Sequence, residues 1–198
     1  MKKKEAFQKM FTWIAALGGV VVLAMLLIYA PNGKTEEEDS KIINEKSTAA
    51  KESVDMKKLE GVEFFPDEGQ EHVPDETRVI YKTSPPTSGR HYARWLPPGM
   101  YEEDKALPEL LVHNLEHGNV VIYVNRDQLS KDDLVALQKL PLTYSGQWDG
   151  VVLVNQKGPF PIVLTAWRAK MALKGYDGKK IDEFLDAFRG RGPEHPVR

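Results

Sequence analysis

Residues 11–30 carry no charged side chain, and this apolar run constrains the fold more than any other feature of the chain. A helix rises about 1.5 Å per residue, so a run of this length can cross a hydrocarbon core about 30 Å thick. We therefore predict a transmembrane helix over residues 11–30, with Phe11 and Trp13 near one end and Ala30 at the other. Any globular fold must lie in the residues that follow.

The charges on either side of this run predict its orientation. Acidic residues dominate positions 36–39, whereas four lysines precede the run: Lys2, Lys3, Lys4 and Lys9. The positive-inside rule then places residues 1–10 in the cytoplasm and the C-terminal part outside, which predicts a single-pass protein of the cell membrane. A cleaved signal peptide is the alternative, but its apolar region is usually only ~7 to 15 residues long, and Ile28-Tyr29-Ala30 lacks the small-x-small cleavage pattern.

The remainder of the chain divides into a tether and one domain. Residues 31–60 are rich in charge and poor in long apolar runs, so they are predicted to be an extracytoplasmic tether. Residues 61–198 have the length and composition of a single globular domain. The chain has a net charge of −2 and no basic patch, which argues against nucleic acid as a partner. The predicted partners are the membrane, through the N-terminal helix, and a protein of the cell envelope.

Hydrophobic patterns in residues 61–198 predict an α+β domain with a largely antiparallel sheet and about two helices. The first helix is predicted over residues 130–140, with Ser130 as its N-cap, and the second begins near Asp177 and stops at Gly190. Segments rich in β-branched or aromatic residues predict the strands. These segments are residues 78–82, 110–113, 119–125, 151–155 and 161–170.

Two of the five histidines, His113 and His117, are four positions apart. This spacing puts both imidazoles on one face of a helix or a strand. The chain has no cysteine, so any metal site must use histidine, carboxylate, methionine or backbone ligands. Glu116 is a further candidate, but it is expected to point to the opposite face unless the backbone bends at Gly118. The bland alternative is a pair of histidines that bond to backbone at the edge of a sheet.

A third histidine, His91, follows a proline-rich segment. Pro85 and Pro86 restrict the backbone to an extended conformation, and a loop of this kind can hold His91 in one place. The thioethers of Met100 and Met171 are candidate soft ligands, although buried methionines more often fill gaps in a core. The predicted metal site is thus His91, His113 and His117, and the candidate ions are copper and zinc.

The stretch from His113 to His117 also matches the H-x-x-E-H pattern of inverzincin metalloproteases. In those enzymes a downstream glutamate completes the zinc site, and Glu194 is available for that role. The pattern requires a helix, however, and the run Val120 to Val124 directly after it predicts a strand. We therefore give this interpretation little weight.

Four blocks follow one another along the predicted domain: Pro85-Pro86-Thr87-Ser88-Gly89 with His91, Leu111 to Gly118, Leu164-Thr165-Ala166-Trp167, and Gly192-Pro193-Glu194. In this order they resemble the signature of the bacterial family known as domain of unknown function 3105. The resemblance covers about residues 62–194. It implies a single domain that is membrane-anchored or exported, and it implies no reaction.

Three functions are compatible with these features. The first is a membrane-tethered metal-binding protein, with copper favoured because a thioether beside histidines suits Cu(I). The second is a scaffold or binding module of an envelope complex, in which Trp95, Tyr101 and Trp148 face a partner. The third is a hydrolase that uses a histidine as general base with Glu116 or Glu194 as its partner.

Overall fold

The computed structural model describes residues 59–198. The predicted cytoplasmic segment, transmembrane helix and tether, including Phe11, Trp13 and Ala30, lie outside these residues. Among the residues described, no helix is both long and apolar enough to span a membrane.

Eight strands and three helices make up the described domain. The strands are β1 (Val62–Phe64), β2 (His72–Val73), β3 (His91–Tyr92), β4 (Gly99–Glu102), β5 (Val120–Val124), β6 (Val151–Asn155), β7 (Ile162–Ala166) and β8 (Ala169–Leu173). The helices are α1 (Pro108–His117), α2 (Lys131–Thr143) and α3 (Gly178–Phe188). Short 3-10 helices occupy Glu103–Lys105 and Arg126–Gln128.

Six strands form the main sheet in the order β1-β8-β7-β5-β6-β4, while β2 and β3 pair separately. The pairs β1/β8, β8/β7 and β7/β5 are antiparallel, and β5/β6 and β6/β4 are parallel. The prediction of an α+β domain with a mostly antiparallel sheet is confirmed. The prediction of about two helices missed α1.

Helices cover both faces of the sheet, as the alternation along β5 shows. Val120, Ile122 and Val124 pack into one cluster with residues of α2 and α3, and Val121 and Tyr123 pack into a second cluster with residues of α1. Successive side chains of a strand point to opposite faces, so α1 lies on one face and the other two helices lie on the opposite face.

The two predicted helices, α2 and α3, are confirmed, and their N-cap residues explain why the sequence predicted them. The Ser130 hydroxyl accepts a hydrogen bond from the Asp133 amide and the Asp133 carboxylate accepts one from the Ser130 amide, which is a capping box. At the start of α3, the Asp177 carboxylate accepts a hydrogen bond from the Lys180 amide. The structure extends α2 three residues beyond the predicted end, to Thr143.

Strand predictions succeeded in the C-terminal half. Residues 119–125 and 151–155 contain β5 and β6, and residues 161–170 contain β7 and the first residues of β8. The chain reverses at Trp167 and Arg168, where Arg168 has a φ of 61°. One predicted strand is therefore a hairpin.

Two strand predictions are wrong. Residues 78–82 form no regular structure. Residues 110–113 belong to α1, which begins with Pro108 and is followed by Gly118 with a φ of 95°. Proline at the start of a helix and a left-handed glycine after its end are both typical. Every residue from Glu109 to His117 is buried, so the helix has no solvent-facing stripe and its apolar run was mistaken for a strand.

Candidate metal centre

His113 and His117 project from the last two turns of α1. Their Nε2 atoms lie 3.0 Å apart, and the two rings meet nearly at right angles with centroids 4.5 Å apart. Both side chains are buried. The sequence spacing of four therefore produces a pair of converging imidazoles, as expected for residues one helical turn apart.

Hydrogen bonding fixes the tautomer of His113. Its Nδ1 lies 2.7 Å from the carbonyl oxygen of Tyr92, which can only accept, so Nδ1 carries the hydrogen. The neutral ring then presents a lone pair at Nε2, toward His117. Burial, together with the nearby rings of His91 and His72, lowers the pKa of His113. A buried neutral imidazole with a lone pair is a metal ligand in its binding form.

The His117 ring is also held neutral. Burial, and after it the neighbouring ring of His113, lowers the pKa of His117 from 6.5 to about 4. Trp95 and Trp148 contact this ring, with centroid distances of 4.7 and 4.2 Å. These indoles exclude water from one side of the pair, which adds to the penalty for a charged imidazole.

Glu194 reaches the pair from the C-terminal segment. Its Oε2 lies 3.1 Å from Nε2 of His117 and 3.8 Å from Nε2 of His113. The Glu194 side chain is 41% exposed, so this side of the site is open to solvent.

A close contact between two glycines brings Glu194 to this position. Gly192 packs on the end of α1 so tightly that a Cβ there would overlap the backbone of Glu116 and Gly118. The Gly190 amide donates to the Gly118 carbonyl at 2.8 Å, and the Glu194 amide donates to the Glu116 carbonyl at 3.3 Å. Only a residue without a side chain allows the two backbones to approach so closely.

These three atoms have the spacing of metal ligands. Two ligands bound 2.0–2.1 Å from a tetrahedral ion lie about 3.3 Å apart. The observed separations are 3.0, 3.1 and 3.8 Å, so a single point can lie about 2.0 to 2.1 Å from all three atoms. The Nδ1 hydrogen of His113 points to Tyr92, so Nε2 of His113 and the Glu194 carboxylate oxygen are acceptors. When the neutral His117 ring carries its hydrogen on Nδ1, its Nε2 becomes a third acceptor at the point where a cation would bind.

A second group of side chains adjoins the pair. Nδ1 of His91 lies 2.7 Å from the Gly89 carbonyl oxygen, and Nε2 of His91 lies 2.9 Å from Oε2 of Glu116. Nε2 of His72 lies 3.9 Å from the same carboxylate oxygen. The β2/β3 pairing sets His72 directly opposite His91. His72, His91 and His113 each offer a ring nitrogen, and these nitrogens lie within 4.8 Å of one another.

The structure thus brings His91, His113 and His117 into one cluster. These three histidines do not make up one group of candidate ligands. One group is His72, His91 and His113, the other is His113, His117 and Glu194, and His113 belongs to both. Sequence reasoning missed His72, for which the sequence holds no signal, since only the pairing of two short strands places it beside His91.

The prediction that Glu116 points away from the histidine face unless the backbone bends at Gly118 is wrong. On a helix, Glu116 lies three positions after His113 and therefore shares its side of the helix, so no bend at Gly118 is needed. The H-x-x-E-H pattern does lie on a helix, so the expectation that it lacks the helix it requires is wrong. The carboxylate of Glu116, the glutamate of this pattern, contacts His91 and His72.

The structure places neither methionine with the histidines. Met171 is buried in the core cluster on the α2/α3 face of the sheet. Met100 is opposite Leu153 in the β4/β6 register, and Leu153 belongs to that same cluster. Residues opposite each other in a sheet share a face, so both methionines lie across the sheet from α1.

Two of the three aromatic residues considered for partner binding line the histidine cluster. Trp95 contacts His113 and His117, and Trp148 stands between His117 and His195. The Tyr101 hydroxyl donates to the Pro97 carbonyl oxygen at 2.7 Å. Trp95 and Trp148 therefore shape the surroundings of the cluster.

Fold and site together define an α+β domain with a histidine and glutamate cluster that could hold a metal ion. Residues 72–198 match the family described as "Protein of unknown function (DUF3105)", and the chain belongs to this family. The matched region begins at His72 and includes Glu194, so it contains every member of the cluster. Neither the curated proteins nor the solved structures contain a match.

Proposed function

We propose that this domain binds a divalent transition-metal ion through Nε2 of His113, Nε2 of His117 and a carboxylate oxygen of Glu194. The observation that carries the proposal is the mutual spacing of these atoms, 3.0, 3.1 and 3.8 Å, around a common point. Two imidazoles with one carboxylate are a ligand set that Zn(II), Cu(II) and Fe(II) use in proteins, and an open position would remain on the solvent side.

The ligand atoms favour Cu(II) and Zn(II) over Cu(I). Cu(I) prefers thiolate and thioether ligands, and both candidate methionines lie on the other face of the sheet. Imidazole nitrogen and carboxylate oxygen suit the divalent ions instead. At a site of this kind Cu(II) binds more tightly than Zn(II), as the Irving–Williams order predicts. Copper thus remains the favoured ion, in its oxidised state.

The proposed location is the outer side of the cell membrane. The uncharged run over residues 11–30 and the lysines before it support this location. The domain would then meet metal ions outside the cytoplasm, close to the membrane surface and within reach of an envelope protein partner.

Metal titration of the full-length protein in mild detergent tests the proposal. We expect Cu(II) and Zn(II) to raise the melting temperature after chelator treatment, since an ion at 100 times its Kd stabilises a protein by about 2.7 kcal/mol. Glu194→Gln should weaken binding at least tenfold, because an amide oxygen is a poorer ligand. His195→Gln is the matched control, since His195 is exposed and belongs to neither ligand group. Wild-type protein that binds neither ion would overturn the proposal.

A hydrolase is the second candidate, favoured by the H-x-x-E-H pattern on α1 and by the approach of Glu194. Such a mechanism would need a glutamate as general base for the attacking water, and a metal ion held by the two histidines and Glu194 would supply Lewis-acid chemistry. The contact of Glu116 with His91 occupies the carboxylate that would do this, so metal binding without hydrolysis is the function supported best. Turnover of a peptide library by the zinc-loaded protein, abolished by Glu116→Gln, would reverse this ranking.

A scaffold role makes a different prediction. It requires that replacing the cluster histidines leaves cell phenotype unchanged, while replacing exposed aromatic side chains does not. Trp95 and Trp148 pack on His117, which is one of the proposed metal ligands. A metal-dependent phenotype of cells that carry Glu194→Gln would therefore favour metal binding over a scaffold role.

A further inference from the structure

We propose that the cluster binds two metal ions, the second held by ring nitrogens of His72 and His91 and by a carboxylate oxygen of Glu116. This inference rests on the proposed function, because it takes the first ion to be bound by His113, His117 and Glu194. The domain would then carry two adjacent sites, each built from two histidines and one glutamate.

His113 cannot serve both groups at once. Its Nδ1 hydrogen is committed to the Tyr92 carbonyl oxygen, which leaves Nε2 as its single ligand atom. That atom lies 3.0 Å from Nε2 of His117 and 3.8 Å from Glu194, which assigns it to the first ion. The remaining donors, His72 and His91, need a third partner, and Glu116 contacts both of them.

The ligand atoms of the second group have suitable positions. The His91 Nδ1 hydrogen is committed to the Gly89 carbonyl oxygen, which leaves Nε2 as its single ligand atom, 2.9 Å from Oε2 of Glu116. Ligands at right angles on an ion with bonds near 2.0–2.1 Å lie about 2.9 Å apart. Nε2 of His72 lies farther from Oε2 of Glu116, at 3.9 Å. The His72 side chain is 48% exposed, so it has room to turn toward the ion.

The charge of the cluster also calls for a second cation. Glu116 is buried, and within residues 59–198 its ion-pair contacts come from His72 and His91 and not from lysine or arginine. A buried carboxylate needs a compensating positive charge. A divalent ion held between the Glu116 carboxylate and the two imidazoles would supply that charge.

Counting the bound ions tests whether the second site exists. The full-length protein in detergent is loaded with Zn(II), dialysed, and analysed for zinc per chain, with calorimetric titration of both ions. We expect two equivalents in the wild type and in His195→Gln. His72→Ala, a change at a half-exposed side chain, should lose one equivalent or weaken the second site at least tenfold, and Glu194→Gln should affect the first site instead.

Cu(II) gives an independent readout that does not depend on stoichiometry. Two Cu(II) ions in adjacent sites couple magnetically, so the electron paramagnetic resonance spectrum of the doubly loaded protein should show a coupled signal. The signal should disappear in His72→Ala and in Glu116→Gln, and their circular dichroism should show that both variants remain folded.

The outcomes distinguish the two proposals. One equivalent in the wild type, unaffected by His72→Ala and lost in Glu194→Gln, overturns the second site and leaves the proposed function intact. Two equivalents that persist in both His72→Ala and Glu116→Gln also overturn this assignment of ligands. No bound metal in the wild type overturns both proposals.

Discussion

His117→Gln should change how the stability of the metal-free protein depends on pH. The pKa of His117 is about 4 in the folded state and 6.5 in an ordinary environment, because burial and the neighbouring His113 disfavour the charged ring. Between these values the unfolded chain binds more protons at this position than the folded chain does. The free energy of unfolding therefore falls as the pH falls from above 6.5 toward 4.

The size of the effect follows from the two pKa values. Proton linkage gives a loss of about 2 kcal/mol between pH 7.5 and pH 5 from this one ring, and the full difference of about 3 kcal/mol only below the folded-state pKa. The lowered pKa of His113 adds a loss of the same sign. Glutamine cannot be protonated, so the contribution of His117 should vanish in the variant.

Urea unfolding at pH 7.5 and pH 5, with chelator present, measures the difference. The quantity of interest is the change in unfolding free energy between the two pH values, so a uniform loss of stability in the variant does not matter. His195→Gln is the matched control, because it makes the same substitution at an exposed histidine outside both ligand groups. If wild type and His117→Gln lose the same free energy over this range, the structural account of His117 as a buried neutral ligand is refuted.

Three further predictions concern one change beside the site and two changes away from it. Gly192→Ala should weaken metal binding by roughly 10- to 100-fold in calorimetric titration, which is the usual effect of losing a residue that positions a metal ligand. The reason is that a Cβ at this position would push the segment that carries Glu194 away from α1. Gly175→Ala, where a Cβ meets open space, should leave affinity unchanged. Met171→Ala should cost about 2–5 kcal/mol in urea unfolding while the Kd for Cu(II) stays the same, since Met171 fills the core and binds no ion. Ser130→Ala should cost about 1 kcal/mol in the same assay through loss of the α2 cap, again without an effect on Kd.

Local patterns predicted the elements whose sequence matches their surroundings. The helices α2 and α3 each have an N-cap side chain, and α3 turns a single apolar stripe toward the sheet. The strands β5 and β6 are runs of β-branched residues between turn signals. In such elements the chemistry of the segment and its final environment agree, so the sequence alone is informative.

Elements that depend on their neighbours were harder to predict. The helix α1 is enclosed by the sheet, by the β2/β3 pair and by the C-terminal segment. Because it is buried on all sides, its sequence lacks the alternation of apolar and polar residues that marks a surface helix. The strands β2 and β3 are two residues long and exist only because they pair with each other.

The sequence by itself determined that His113 and His117 share a face, that no thiolate is available and that the chain resembles its family. These conclusions depend only on local geometry and composition. The tertiary structure alone decided that His72 and Glu194 join them, because those residues lie far away in the chain and are brought in by a strand pairing and a contact between two glycines. It also placed Met100 and Met171 across the sheet, since the face that a strand residue occupies is set by the register of the sheet.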